Sequence, residues 1–181
     1  ELFAASAGGT QIVEDAWASP AQTYDLVVAL GTLDSVNGLP LALHLIRLAM
    51  RPDSLFIGAA SGGDTLPELR SAMRAADAAS GIAAPHIHPR IEASALSPLL
   101  VDAGFVRPVV DVERVRATYA SLDRLVSDLR AMGATNVLNE RAPPLTRGQR
   151  EAAARSFANS SENGRTTETF EILNFAAWTP T

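Results

Sequence analysis

Two nearly unbroken apolar runs, "YDLVVAL" (24–30) and "LFIGAA" (55–60), constrain the fold of this chain more than any other feature. Short runs of this kind read as strands buried on both faces, the pattern of a parallel sheet. Between them "LPLALHLIRLAM" (39–50) places apolar residues at 39, 42, 43, 46 and 50, the stripe of an amphipathic helix. "RPDS" (51–54) reads as a turn, with Pro52 stopping the helix. Strand, helix and strand with short joins make a βαβ unit, for which a right-handed parallel crossover is the rule. The chain is therefore expected to form an α/β domain.

The remaining segments extend that reading. "TQIVED" (10–15) is β-like. "LPELRSAMRAADAAS" (66–80), "EASALSPLLVDAGF" (92–105), "LDRLVSDLRAMGATN" (122–136) and "TRGQREAAARSFA" (146–158) read as helices. The third has its stripe at Leu122, Leu125, Leu129 and Met132. Thr146 is a candidate N-cap for the last. "VRPVVDVERVRATY" (106–119) and "TFEILNFAAW" (169–178) read as strands, the latter after a polar turn containing Asn-Gly. At 181 residues the whole chain, 1–181, is expected to be one domain. Residues 119–165 form a helical insert before the last strand.

Composition narrows the chemistry. The net charge is -5, so nothing attracts nucleic acid or an anionic membrane globally, and no basic-aromatic stretch is present. The chain has no Cys, which removes thiolate nucleophiles, disulfides and Cys-ligated metals. No apolar run reaches the length of a membrane span, and the first residues do not read as a signal peptide. A cytoplasmic setting is the expectation. His86 and His88 alternate in "HIH", but a metal site needs a third ligand and a supporting shell, so no metal is expected.

The loop "SGGDTLPELR" (61–70) follows a strand and opens a helix, the setting of a phosphate cradle. It lacks the Lys of a P-loop and the three spaced glycines of a dinucleotide fingerprint. Thr65, Pro67 and Glu68 fit a local capping box instead. That leaves the glycine pair, Gly62 and Gly63, unexplained at the carboxyl end of a strand, where ligands bind in open α/β sheets.

Taken together, "VEDAWASPAQTYDLVVALGTLDSVNGLPLAL", "RPDSLFIGAASGGDTLPELR", "LLVDAGF" and "LRAMGATN" resemble the class I S-adenosylmethionine-dependent methyltransferases. "GGDTLPELR" and "MGATN" resemble two subfamilies in particular. One is the malonyl-acyl-carrier-protein O-methyltransferase of biotin synthesis. The other is the methyltransferase-like assembly factor of respiratory complex I, implicated in arginine hydroxylation. The resemblance implies a Rossmann-like sheet, S-adenosylmethionine as cofactor, and a small-molecule or carrier-bound acceptor or a protein subunit as partner. It also implies a D/ExGxGxG loop and an acidic end to the second strand, neither of which the sequence contains. The expectation is thus a C-terminal portion of the fold whose upstream half is missing, or else a lost cofactor site; either way this chain alone should bind cofactor weakly or not at all.

Several site residues follow from the resemblance. Asp15 and Ala16 match the step that holds adenine, and Trp17 would cover a purine face. Leu30, Gly31 and Thr32 would lie under the methionine moiety. The family often has His-Trp after this strand; here Asp34-Ser35 stands, and Asp34 is either a base on the acceptor side or a solvated carboxylate at a helix start. A carboxylate acceptor would need a cationic clamp, for which Arg70 and Arg130 are candidates. Tyr119 would line an acceptor pocket or pack in the core, and Gly62 and Gly63 would face the acceptor. No catalytic residue is singled out.

Overall fold

The computed structural model describes residues 19–134 and 143–181. In chain order the elements are β1 (Tyr24–Leu30), a 3-10 turn (Thr32–Ser35), α1 (Leu39–Ala49), β2 (Met50–Ser61), α2 (Pro67–Ser80), α3 (Ala93–Asp102), β3 (Val106–Tyr119), α4 (Leu122–Ala131), α5 (Arg147–Asn159), β4 (Ser161–Glu162) and β5 (Arg165–Trp178). The sheet order is β1-β2-β5-β3, with β4 paired to β5. β1 and β2 are parallel, Val27 facing Phe56 and Leu30 facing Ala59, as the βαβ pattern requires. β5 runs antiparallel between β2 and β3. Both β3 and β2 therefore point the same way, and β5 is wedged between them in reverse.

Two cores result. Phe56, Leu43, Met50, Leu96, Leu100, Phe105, Leu173 and Phe175 form the first, where α1 and α3 cover the sheet. The Phe56 ring stacks on Phe105 at 5.1 Å and meets Phe175 edge-on at 5.0 Å. Leu66, Leu69, Ala72 and Ala76 of the α2 region, Leu122, Leu125 and Leu129 of α4, and Ala153 and Phe157 of α5 form the second. β5 serves both. It buries Thr166 and Glu168 near its start, then Glu171, Leu173, Phe175 and Ala177. Successive strand side chains point to opposite faces, so the buried face of β5 switches between 168 and 171. Leu26, Val28 and Leu30 of β1 and Val109 of β3 are exposed, so β1 is not buried on both faces as its apolar run leads one to expect; among the described residues it lies at the end of the sheet order. Val28 and Val109 lie in one cross-strand row with Ile57 and Ala176.

Three local expectations are corrected. β2 begins at Met50, not after a turn at 51–54; the chain passes directly from α1 into the strand, and Asp53 at φ 58 takes up the irregularity. Met132 is exposed, because α4 ends at Ala131. The capping box at Thr65–Glu68 does not form: the residue before α2 is Leu66, with φ 59 and no side-chain cap. The Thr146 cap is present, with Gln149 completing a capping box.

Candidate functional site

β1 and β2 end side by side. The chain leaves β1 through Gly31, at φ 66, whose N–H donates to the Ala59 carbonyl at 2.9 Å. Only a residue without Cβ takes this left-handed conformation at no steric cost. A Cβ here would meet nothing within 4 Å, so the space above Gly31 is open. Leu30 and Thr32 on either side are exposed. Asp15, Ala16 and Trp17 lie outside the described residues.

Asp34 is not a solvated carboxylate. Its Oδ1 accepts from the Ser61 N–H at 2.7 Å and its Oδ2 from the Ser61 hydroxyl at 2.6 Å. Arg90 Nη1 lies 3.2 Å from Oδ2. The carboxylate thus ties the turn after β1 to the end of β2 and to the connection before α3. Spent in this way, it is poorly placed to take a proton from a ligand.

The glycine pair is explained by carboxylates, not by phosphate. A Cβ on Gly62 would run into the side chain of Glu171, and one on Gly63 into the carboxylate of Glu92. The backbone must therefore approach both acids closely. Gly62 N–H also donates to the Glu171 carbonyl at 2.8 Å. Glu171 is buried and faces Arg114 across the β3–β5 pair. Arg114 Nη2 lies 2.7 Å from Glu171 Oε2 and 3.2 Å from Asp64 Oδ2.

Thr65 and Glu168 then fasten α2 to β5. The Thr65 hydroxyl donates to the Glu171 carbonyl at 2.9 Å and accepts from the Glu171 N–H at 3.0 Å. Glu168 Oε1 accepts from Leu69 N–H at 2.6 Å, occupying a free donor in the first turn of α2. Its Oε2 has no partner among the described residues. Burial pushes the Glu168 carboxyl above the usual carboxylate range, against the backbone hydrogen bonds that pull it down. Tyr119 packs on the second core, and burial, then the charges of Asp128 and Glu168, raise its phenol.

Three cavities adjoin along this edge of the sheet. One of about 380 Å³ is lined by Asp64, Pro67, Arg70, Arg74, Arg114 and Thr169. Arg70 also lines the next, of about 330 Å³, with Gly63, His88 and Arg90. His88, Arg90 and Glu92 in turn line a third of about 470 Å³, whose apolar wall includes Leu33, Leu39 and Leu99. The His88 Nδ1 is 3.1 Å from the Pro89 carbonyl. His86 instead meets Asp77 at 2.7 Å, and that hydrogen bond holds the Asp77 carboxyl below its ordinary value. Of the sequence candidates, the structure brings Arg70 and Gly63 together in one cavity, while Gly62 is buried against Glu171 and lines none of the three. Arg130 is exposed on α4 and lines none of these cavities. Arg74, Arg90 and Arg114 were not singled out in the sequence. For Arg114 alone there was a signal, the acid Glu171 in the apolar stretch "FEIL", which demands a partner.

Comparison with known proteins gives this arrangement its relatives. The mitochondrial arginine-hydroxylase NDUFAF5 of Rattus norvegicus is 37% identical over 162 residues, covering 88% of this chain and 47% of that protein. The malonyl-[acyl-carrier protein] O-methyltransferase of Xylella fastidiosa is 35% identical over 161 residues, covering 88% and 53%. The YcgJ protein of Bacillus subtilis superposes with a TM-score of 0.60 at 8% identity, covering 99% of this chain and 76% of that one. By sequence the chain is similar to an arginine-hydroxylase and a malonyl-[acyl-carrier protein] O-methyltransferase, and its fold is that of the class I methyltransferases. A putative methyltransferase of Bacillus halodurans superposes similarly, with a TM-score of 0.59 at 11% identity, covering 93% and 75%. No protein-family model matches the chain. The chain spans about half the length of the curated relatives it matches.

Proposed function

We propose that this methyltransferase relative serves S-adenosylmethionine-dependent transfer of a methyl group to a small-molecule or carrier-bound acid. The observation that carries the reading is the parallel β1–β2 pair with antiparallel β5 beside it, in a chain 35% identical to a malonyl-[acyl-carrier protein] O-methyltransferase. S-adenosylmethionine, when bound, supplies an electrophilic methyl on a sulfonium. The open space over Gly31 and the exposed Leu30 and Thr32 suit the methionine end of such a cofactor. Asp15, Ala16 and Trp17 are proposed for the adenine. Gly62, Gly63 and Arg70 border the acceptor side, and Asp34 fixes its floor through Ser61 and Arg90. A carboxylate acceptor needs no base, because no proton is lost when its oxygen takes the methyl. The protein's share is alignment of donor and nucleophile. A cytoplasmic setting is part of the proposal, with which a cysteine-free chain is compatible.

Incubation with methyl-labelled S-adenosylmethionine and a malonyl thioester tests the reading. Because this chain alone is expected to bind cofactor weakly or not at all, the assay uses the chain extended upstream by a D/ExGxGxG segment. A labelled methyl ester is the expected product, and cofactor binding without any ester would overturn the reading. A second reading, an arginine-hydroxylating or scaffolding factor for a protein subunit, is favoured by the 37% identity to the arginine-hydroxylase relatives. With dioxygen and a two-electron donor supplied, addition of one oxygen atom to an arginine of a bound subunit, without any labelled ester, would select it.

A further inference from the structure

The cleft of about 380 Å³ between α2, β3 and β5 holds three guanidinium groups, from Arg70, Arg74 and Arg114, and a single lining carboxylate, Asp64. Arg114 is already neutralised. The buried Glu171 holds it at 2.7 Å and Asp64 at 3.2 Å, which fixes its position before any ligand arrives. Arg70 and Arg74 are different. They stand one turn apart on the same face of α2, a spacing at which like charges oppose helix stability. Arg74 donates only to the Ser71 hydroxyl, at 3.0 Å, among the described residues. Arg70 has no ion-pair partner there. Two cations thus line one concave site with no carboxylate paired to them, beside a third that Glu171 and Asp64 hold in place, and the cleft keeps a net positive charge. Preorganised guanidinium groups with spare donors suit planar or tetrahedral oxyanions.

We propose that this cleft is an oxyanion-binding site for a dianionic group, phosphate or dicarboxylate. Arg70 and Arg74 supply the unspent charge, and Arg114 supplies a fixed wall. Arg70 reaches into the adjoining cavity as well, and that cavity shares His88, Arg90 and Glu92 with the apolar one beyond it. A ligand using the whole edge is therefore elongated, with its oxyanion at one end. That last step rests on the methyl-transfer reading; the anion site itself does not.

The test is equilibrium titration calorimetry at low ionic strength, without cofactor, using inorganic phosphate and malonate as probes. The comparison pairs the R70Q/R74Q double variant with R124Q/R155Q, which removes the same charge from exposed positions on α4 and α5. Saturable one-site binding that weakens ~10-fold or more in R70Q/R74Q, yet stays within about twofold in R124Q/R155Q, is expected. The tighter probe identifies the source as a phosphate or a dicarboxylate. Equal weakening in both doubles reduces the effect to bulk charge and overturns the proposal, as does the absence of saturable binding. Failure here leaves the methyl-ester assay unaffected, so the two readings stand or fall separately.

Discussion

Adjacent glycines that look alike in the sequence are held to different degrees by the residues around them. At Gly62 the obstacle to a Cβ is Glu171, a buried acid pinned by Arg114 and by the Asp64 N–H at 3.3 Å. Its side chain cannot swing away without breaking an ion pair whose carboxylate is buried. At Gly63 the obstacle is Glu92, whose residue is exposed and free to take another rotamer. Gly62→Ala is therefore expected to cost ~1–3 kcal/mol, the usual penalty of overpacking. Gly63 is itself buried, but its obstacle is the end of an exposed side chain, so Gly63→Ala should cost less, under ~1 kcal/mol. Urea midpoints of the two variants decide; equal losses would contradict the assignment. Glu168 gives a prediction in pH. Its native carboxyl titrates above the ordinary value because it is buried, so the folded state holds its proton more tightly than the unfolded state. Stability from this group is complete below the unfolded carboxylate value and is lost as pH rises from there through the raised native value. Glu168→Gln keeps an oxygen for the Leu69 N–H and has no charge to bury. The difference in urea midpoint between wild type and variant should shift in the variant's favour as pH rises from about 4 to 7. A difference independent of pH would refute it.

The two helix starts that carry Thr show how far local pattern reaches. Thr146 caps α5 through Gln149 as its own neighbours dictate, and Thr146→Ala should cost ~1 kcal/mol. Thr65 carries the same signature, with Glu68 in place of Gln149, yet its hydroxyl bonds both backbone groups of Glu171. Thr65→Val keeps the shape and strands buried polar groups, so a loss of ~2 kcal/mol is expected, largely restored in Thr65→Ser. Similar losses for Thr65→Val and Thr65→Ser would show that the hydroxyl bonds matter little. The capping box failed because the Thr65 hydroxyl is taken by Glu171 and the Thr65 N–H by the Gly62 carbonyl, while Glu168 of β5 accepts from the Leu69 N–H in the first turn of α2. The strands were legible for the opposite reason: β1 and the end of β5 follow from their own apolar runs and β3 from its β-branched residues, although the burial expected of β1 does not follow, because Leu26, Val28 and Leu30 are exposed. Site residues followed the same division. Arg70 could be singled out from its motif alone, whereas Arg114 enters its cleft only because β5 is antiparallel between β2 and β3, a pairing no local pattern announces.

At the scale of the whole molecule, the switch in the buried face of β5 divides the interior into two cores joined by one strand. Phe56 lies at the centre of the first, stacked on Phe105 and edge-on to Phe175, and Phe157 is buried in the second. Thr166 couples the second core to β5, its hydroxyl donating to the Phe157 carbonyl at 2.8 Å. Truncating either ring to Ala leaves a cavity that costs ~3–5 kcal/mol. The two losses should nonetheless be distributed differently. The contacts of α2, α4 and α5 are made chiefly with one another, so they can open as a unit while the sheet persists. Phe157→Ala is expected to speed amide exchange in α2, α4 and α5 while the β1 and β2 amides stay protected. Phe56→Ala should speed exchange everywhere, because the second core is anchored to a strand that the first core holds in place. Hydrogen exchange resolved by segment distinguishes the cases, and uniform acceleration in both variants would mean that the interior is one cooperative core. The Arg70–Arg74 face belongs to α2, so the outcome also bears on the anion cleft. If the helical unit opens independently, the cleft's α2 wall moves relative to Arg114, and phosphate or malonate that bridges them should slow exchange in α2 more than in β2.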